Sequence, residues 1–175
     1  MFTKPNLLIK EVHDKAVLDN IYQLRVEAWR MQLTHTTSIE AWEDEFDPIA
    51  QHWGCFDEDR LVAAACLSVH QDIQNVPDAD AYEGVITSDA PSPIASLNRL
   101  VVHHDYRGKG IAKKLDTVRL ARAREIGCKC VIGATCDIRR GEQLKAQGFM
   151  FVGEGKATEK GFLAGSRNMI WILYL

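Results

Sequence analysis

The chain has 175 residues, 46% of them hydrophobic and 26% charged, with five prolines, which describes a globular protein rather than a disordered or fibrous one and suits one domain over residues 1–175 with a substantial core. Lysine and arginine number 21 against 24 acidic residues, a formal net charge of -3, so no global basic field draws the chain to nucleic acid or anionic membrane. No run of eighteen apolar residues occurs, and Met1 to Asn6 lacks the apolar segment of a signal peptide; a cytoplasmic protein is expected.

Leu7 to His13 reads as a first strand. From about Lys15 to Leu33 the apolar residues Val17, Ile21, Leu24 and Ala28 recur at helical spacing. Ser38 to Asp47 predicts a short acidic helix capped by Ser38 and stopped by Pro48. Gln51 to His70 holds two apolar runs around the polar tip Asp57, Glu58, Asp59, Arg60, a β-hairpin with a longer turn. The segment from Gln71 to Ala95, with Pro77, Pro91, Pro93 and five acidic residues, is the least patterned and reads as a long loop.

Leu97 to Leu115 carries the strongest signal. A strand ending Leu100, Val101, Val102 meets a basic turn with Gly108 and Gly110, and the turn opens a helix with Ile111, Leu115 and Val118 on its apolar face, widened by Ala112, Ala121 and Ile126. Glycines admit positive φ and close approach, while orphan amides at the helix start and the cations Arg107, Lys109, Lys113 and Lys114 favour a polyanion. Two other phosphate loops are excluded: G-x-x-x-x-G-K-[ST] is absent, and a dinucleotide fingerprint from Gly108 needs glycine where Lys113 stands. Further on, Lys129 to Cys136 reads as a buried strand. Asp137 caps a short helix ending near Gln147, with Gly127 and Gly148 suited to the ends of the two helices before them. Phe149 to Gly153 and Asn168 to Leu175 form a last hairpin. The five cysteines (Cys55, Cys66, Cys128, Cys130, Cys136) lie mostly in apolar runs and read as reduced, buried thiols; Cys128 and Cys130 are spaced C-x-C, so no zinc or other metal is expected.

Arg107, Gly108, Lys109, Gly110, Ile111 and Ala112 match [QR]-x-x-G-x-[GA], and the stretch resembles the acetyl-CoA signature of the GNAT family of N-acetyltransferases. Tyr106 before the arginine, the hairpin ending Leu61, Val62, Ala63, Ala64, Ala65, and the dipeptide Gly148-Phe149 extend the likeness over nearly the whole chain. The resemblance implies an α/β (α+β) acyl-CoA N-acyltransferase fold: a mixed, mainly antiparallel, V-split sheet of about seven strands flanked by about four helices. It implies acetyl-CoA as cosubstrate, with its pyrophosphate on Arg107, Gly108, Lys109, Gly110, Ile111, Ala112 and Lys113 and its pantetheine arm paired along Leu100, Val101 and Val102. Lys109, Lys113, Arg139 and Arg140 are candidates for the outer phosphate. The implied activity is direct transfer to a small-molecule or protein amine in a ternary complex, and a second copy of the chain is a candidate partner.

The same resemblance makes Trp29, Tyr82, Glu83 and Asp89 candidate acceptor contacts, beside packing and surface roles for the same residues. An alkyl ammonium has a pKa near ~10.4, so roughly one molecule in a thousand is deprotonated at pH 7 and proton removal is required. Two positions depart from the better-known members: Leu144 stands where a tyrosine often protonates the thiolate, and Ser96 where histone-type members carry a glutamate base. Asn98, positioning a water, and Cys136, donating to the thiolate, are the substitute candidates; His103 and His104 read as surface histidines. These departures leave a noncatalytic acyl-CoA-binding or regulatory module as the alternative function.

Overall fold

The computed structural model describes residues 6–30, 40–157 and 167–175. Seven strands, in chain order β1 (Leu7–Val12), β2 (Gln51–Asp57), β3 (Arg60–His70), β4 (Ile94–Val102), β5 (Cys130–Thr135), β6 (Met150–Glu154) and β7 (Met169–Tyr174), form one sheet in the order β1-β2-β3-β4-β5-β7-β6. The pairs β1–β2, β2–β3, β5–β7 and β6–β7 are antiparallel, and β4–β5 is parallel. Three α-helices accompany the sheet among the described residues: α1 (Lys15–Arg30), α2 (Ile111–Ile126) and α3 (Ile138–Lys145). The residues fall into two compact units, one of residues up to 67 with 99–119, the other of 68–98 with 120–175.

In the first unit, α1 starts at Asp14, whose carboxylate accepts from the Val17 amide at 3.1 Å. Its inner face carries Ile21, Tyr22, Leu24 and Ala28 into a cluster with Val12, Ala64 and Val101. The β2–β3 turn is tighter than expected: Asp57 pairs with Arg60, and Glu58 takes φ +55 to close a two-residue connection.

The expected acidic helix over Ser38 to Asp47 is not formed in its described part. Residues 40–46 are irregular, and a 3₁₀ turn, Asp47–Ile49, follows with Pro48 in its first positions; Ser38 lies outside the described residues. Tertiary partners account for this. The Trp42 amide donates to the Tyr22 carbonyl at 3.0 Å, Asp44 binds Arg99, and Asp47 binds Arg25, so the groups that would have built a helix are used elsewhere.

In the second unit, the 71–93 connection is better packed than a loop. Two 3₁₀ turns, Ile73–Asn75 and Ala79–Tyr82, place Ile73, Val76, Ala81 and Tyr82 in a core with Ile94, Cys130, Ile132, Ile170 and Ile172. α3 begins where the Asp137 carboxylate accepts from the Arg139 amide at 2.8 Å and ends where Gly148, φ +93, lets the Phe149 amide reach the Leu144 carbonyl at 3.1 Å. The buried face of α2 differs from expectation: Ile111, Leu115, Asp116, Arg119, Leu120 and Ala123 turn inward, whereas Ala121 and Ile126 are exposed.

Candidate functional site

The strand-turn-helix at 100–115 is built from its braces inward. The His103 amide bonds to the Val62 carbonyl at 2.9 Å, and the Tyr106 hydroxyl donates to Asp57 at 2.8 Å, which pushes the phenol up from its ordinary value. The Arg107 guanidinium donates to the carbonyls of Val102 and Ala28, both at 3.1 Å. Arg107 is therefore a brace holding the end of β4 to α1, and its side chain is committed to backbone. His103, expected at the surface, is buried beside Arg60 and Glu27, while His104 is exposed.

Between these braces, Gly108 and Gly110 adopt φ +76 and +74, and a Cβ built on either meets nothing within 4 Å. Their conformation demands glycine while the space beside them stays open. Since the Gly110 carbonyl accepts from the Lys114 amide, the amides of Ile111, Ala112 and Lys113 are the first-turn donors that lack an intrahelical acceptor. Ile111 and Leu115 are buried and fix this helix start, and Lys113 and Lys114 are exposed beside it. Lys109 donates to the Asp105 carbonyl at 3.0 Å and lies 4.6 Å from the Tyr106 ring centroid. Such an arrangement binds phosphate oxygens through backbone donors, the helix dipole and cations together.

Upstream on the same strand, Val101 packs toward α1, and Leu100 and Val102 are half-buried. Arg99 holds φ +51, uncommon for a side chain other than glycine, and is secured by Asp44 at 2.7 Å and by the Trp42 ring 4.7 Å away. The β4–β5 ladder covers Ile94, Ala95 and Ser96 against Cys130, Val131 and Ile132. Asn98 follows, half-buried, in a polar chain: Ser96 Oγ to Asn98 Oδ1 at 3.0 Å, Asn98 Nδ2 to Ser68 Oγ at 3.1 Å, and Ser68 Oγ to His70 Nε2 at 2.8 Å. Ser68 and His70 went unnoticed in the sequence because they alternate inside an apolar strand run. Their only signal is the spacing Ser68-Val69-His70, which puts both on one strand face.

The other candidates are dispersed. Cys136 is exposed just after β5, contrary to the buried thiol expected, while Cys55, Cys66, Cys128 and Cys130 are buried and free. Burial pushes Cys66 and Cys130 up to about 11, so neither is a thiolate at neutral pH. Leu144 is buried. Trp29 is half-buried against the α1 cluster, Tyr82 is 2% exposed in the core, and Glu83 is exposed and paired with Lys156. Asp47, His52 and Cys66 bring possible ligand atoms within 4.8 Å of one another, but Arg25 binds both Asp47 oxygens at 2.8 Å, and its positive charge competes with any cation.

Among the described residues no helix is long and apolar enough to cross a membrane. The model of the acetyltransferase (GNAT) family matches residues 18–150. No curated protein sequence matches the chain significantly. Solved structures share the fold at low identity. An N-acyl amino acid synthase, FeeM, from uncultured soil microbes superposes with a TM-score of 0.73 at 15% identity, covering 98% of this chain and 92% of its own. An Acinetobacter baylyi protein described as an acetyltransferase gives 0.69 at 15% identity over 100% and 95% of the two chains. A Bacillus subtilis acetyltransferase in complex with CoA gives 0.62 at 12% identity over 97% and 99%. The family match spans the hairpin, the glycine turn, its helix and Gly148-Phe149, and the chain belongs to the GNAT family of acetyltransferases.

Proposed function

We propose that this protein is a cytoplasmic N-acetyltransferase that moves the acetyl group of acetyl-CoA to an amine by direct transfer in a ternary complex. The observation that carries the reading is the pair of left-handed glycines with open space beside them at the start of α2. The CoA pyrophosphate occupies the amides from Gly108 to Lys113, and Lys113 and Lys114 add charge. The pantetheine amides pair with the β4 backbone at Leu100 and Val101; the Val102 carbonyl already accepts from Arg107. The amine nitrogen attacks the thioester carbon, the C–N bond forms, the C–S bond breaks, and the nitrogen gives up a proton. The solved relatives support a panel of acceptors that includes amino acids, since one of them is named as an N-acyl amino acid synthase.

Ser96, fully buried, and Leu144, buried and apolar, hold the places of the usual proton-handling residues, which favours the binding-module reading as the competitor. Release of CoA thiol from acetyl-CoA, measured against a panel of amino acids, polyamines and peptide N-termini, separates the two. Turnover with at least one amine is expected; tight CoA binding in calorimetry with no turnover on any amine would replace the enzyme by a binding module.

A further inference from the structure

Among the described residues the sheet order leaves two strands with a single neighbour, β1 and β6, and their sequences treat that position differently. A sheet edge presents unpaired backbone donors and acceptors, and charged side chains along it oppose pairing with another chain. β1 carries Lys10 and Glu11, both exposed, among its apolar residues. β6 opens with Met150, Phe151 and Val152, which are 50%, 51% and 41% exposed and carry no charge. The charges that follow have partners in their own chain: Glu154 faces Arg167 at 3.6 Å, and Lys156 binds Glu83 at 2.5 Å. Met150 stands opposite Ile172, and a cleft of about 180 Å³ lined by Val85, Pro91, Val152, Ile172 and Tyr174 adjoins the strand. β6 is therefore an apolar edge without the charges that guard β1.

We propose that β6 is the contact through which two copies of this chain associate, running antiparallel about a two-fold at Phe151 and continuing the sheet from one copy into the other. In that register Met150 of one copy lies opposite Val152 of its partner, the two Phe151 side chains face each other, and Glu154 falls opposite Gly148. No like charges meet, and each pairing within Met150 to Val152 is apolar with apolar, so the surface is complementary to itself and fits a second copy. The β6–β7 register shifts between Phe151 and Gly153, which makes Val152 the extra residue of a bulge and keeps the new ladder short. Met150, Phe151 and Val152 present roughly 300 Å² per copy, the size of a patch that marks an interaction site. Doubling by the two-fold, with the paired backbone and the rim of the cleft, brings the contact to roughly 1,000 Å², the lower bound of a specific interface. The expected dimer dissociates on dilution.

The test is sedimentation velocity on the full chain, whose average mass is expected to rise toward twice the monomer value as concentration climbs through the micromolar range. Phe151→Lys and Met150→Lys, both at half-exposed positions, are expected to weaken association at least about 10-fold by setting charge into the apolar pairings. Leu8→Lys, at a 55% exposed position on β1, leaves association unchanged. Circular dichroism melts establish that each variant is folded. A second measurement reads the register. With Cys136, the exposed thiol, replaced by Ser, Phe151→Cys is expected to form an intermolecular disulfide under mild oxidation, because the two-fold brings its paired Cα atoms within about 4.5–5.5 Å; Leu8→Cys forms none. A wild type that stays monomeric throughout, a dimer that survives in folded Phe151→Lys and Met150→Lys, or a Phe151→Cys protein that does not cross-link overturns the assignment. Acetyl transfer is read separately, by release of CoA thiol, and stands or falls independently of this contact.

Discussion

Arg25 and Asp47, each with its side chain 1% exposed, show what a buried charge demands of its surroundings. Burial pushes the Asp47 carboxyl up, but two hydrogen bonds and the charge of Arg25, with the Asp44 amide at 2.8 Å, outweigh it and hold it below 3.8. Burial likewise disfavours the Arg25 cation, and Asp47 reverses this to a net rise. His52 and His70 are pushed below 6.5 by burial. All three depressed groups bind more protons when unfolded, so each contributes stability above its unfolded pKa that is lost as pH falls through its folded value. Thermal stability should therefore fall in two stages, first below about pH 6.5 and then below about pH 4. Asp47→Asn leaves Arg25 charged and buried and is expected to cost about 3–5 kcal/mol at pH 7, while flattening the second stage. A loss under about 1 kcal/mol by denaturant titration would show that the pair is replaceable.

Elements were readable from the sequence where their determinants are local. Gly127 at φ +85 and Gly148 at φ +93 end their helices as their positions suggested, and the glycines at 108 and 110 take the backbone that a phosphate turn needs. Determinants at long range were hidden. Nothing near Asp44 in the chain shows that Arg99 is its partner, and nothing near Asp116 shows that Arg119 will be buried on the same turn and donate to the Cys66 carbonyl at 2.9 Å. The 71–93 connection is the clearest case, because its prolines and acids mask four core residues. Its packing produces a sharp expectation at Gly155, where an added Cβ would lie 1.9 Å from the Ala81 carbonyl oxygen. Gly155→Ala should destabilise the fold by about 1–3 kcal/mol or more by forcing the 79–82 turn away. Chemical denaturation reads this, and an unchanged midpoint contradicts the close approach.

Across the whole molecule, backbone features and side-chain clusters are encoded differently. The turn proposed to hold phosphate is backbone: left-handed glycines, orphan amides and a helix start, which a short motif specifies and which tolerates wide change elsewhere. That is consistent with a shared fold at only 12–15% identity in the related structures. Side-chain clusters assembled from separate strands, such as Ser68, His70, Ser96 and Asn98, are announced by no local pattern. The central claim is that the Gly108–Gly110 turn holds the pyrophosphate of CoA, and calorimetric titration of CoA into the wild type and Gly110→Leu tests it most directly. The account predicts that Gly110→Leu melts cooperatively, less stable by about 1–2 kcal/mol from the left-handed backbone, and binds CoA at least about 10-fold more weakly, a loss of about 1.4 kcal/mol. Equal affinity for CoA in a folded Gly110→Leu protein would contradict it.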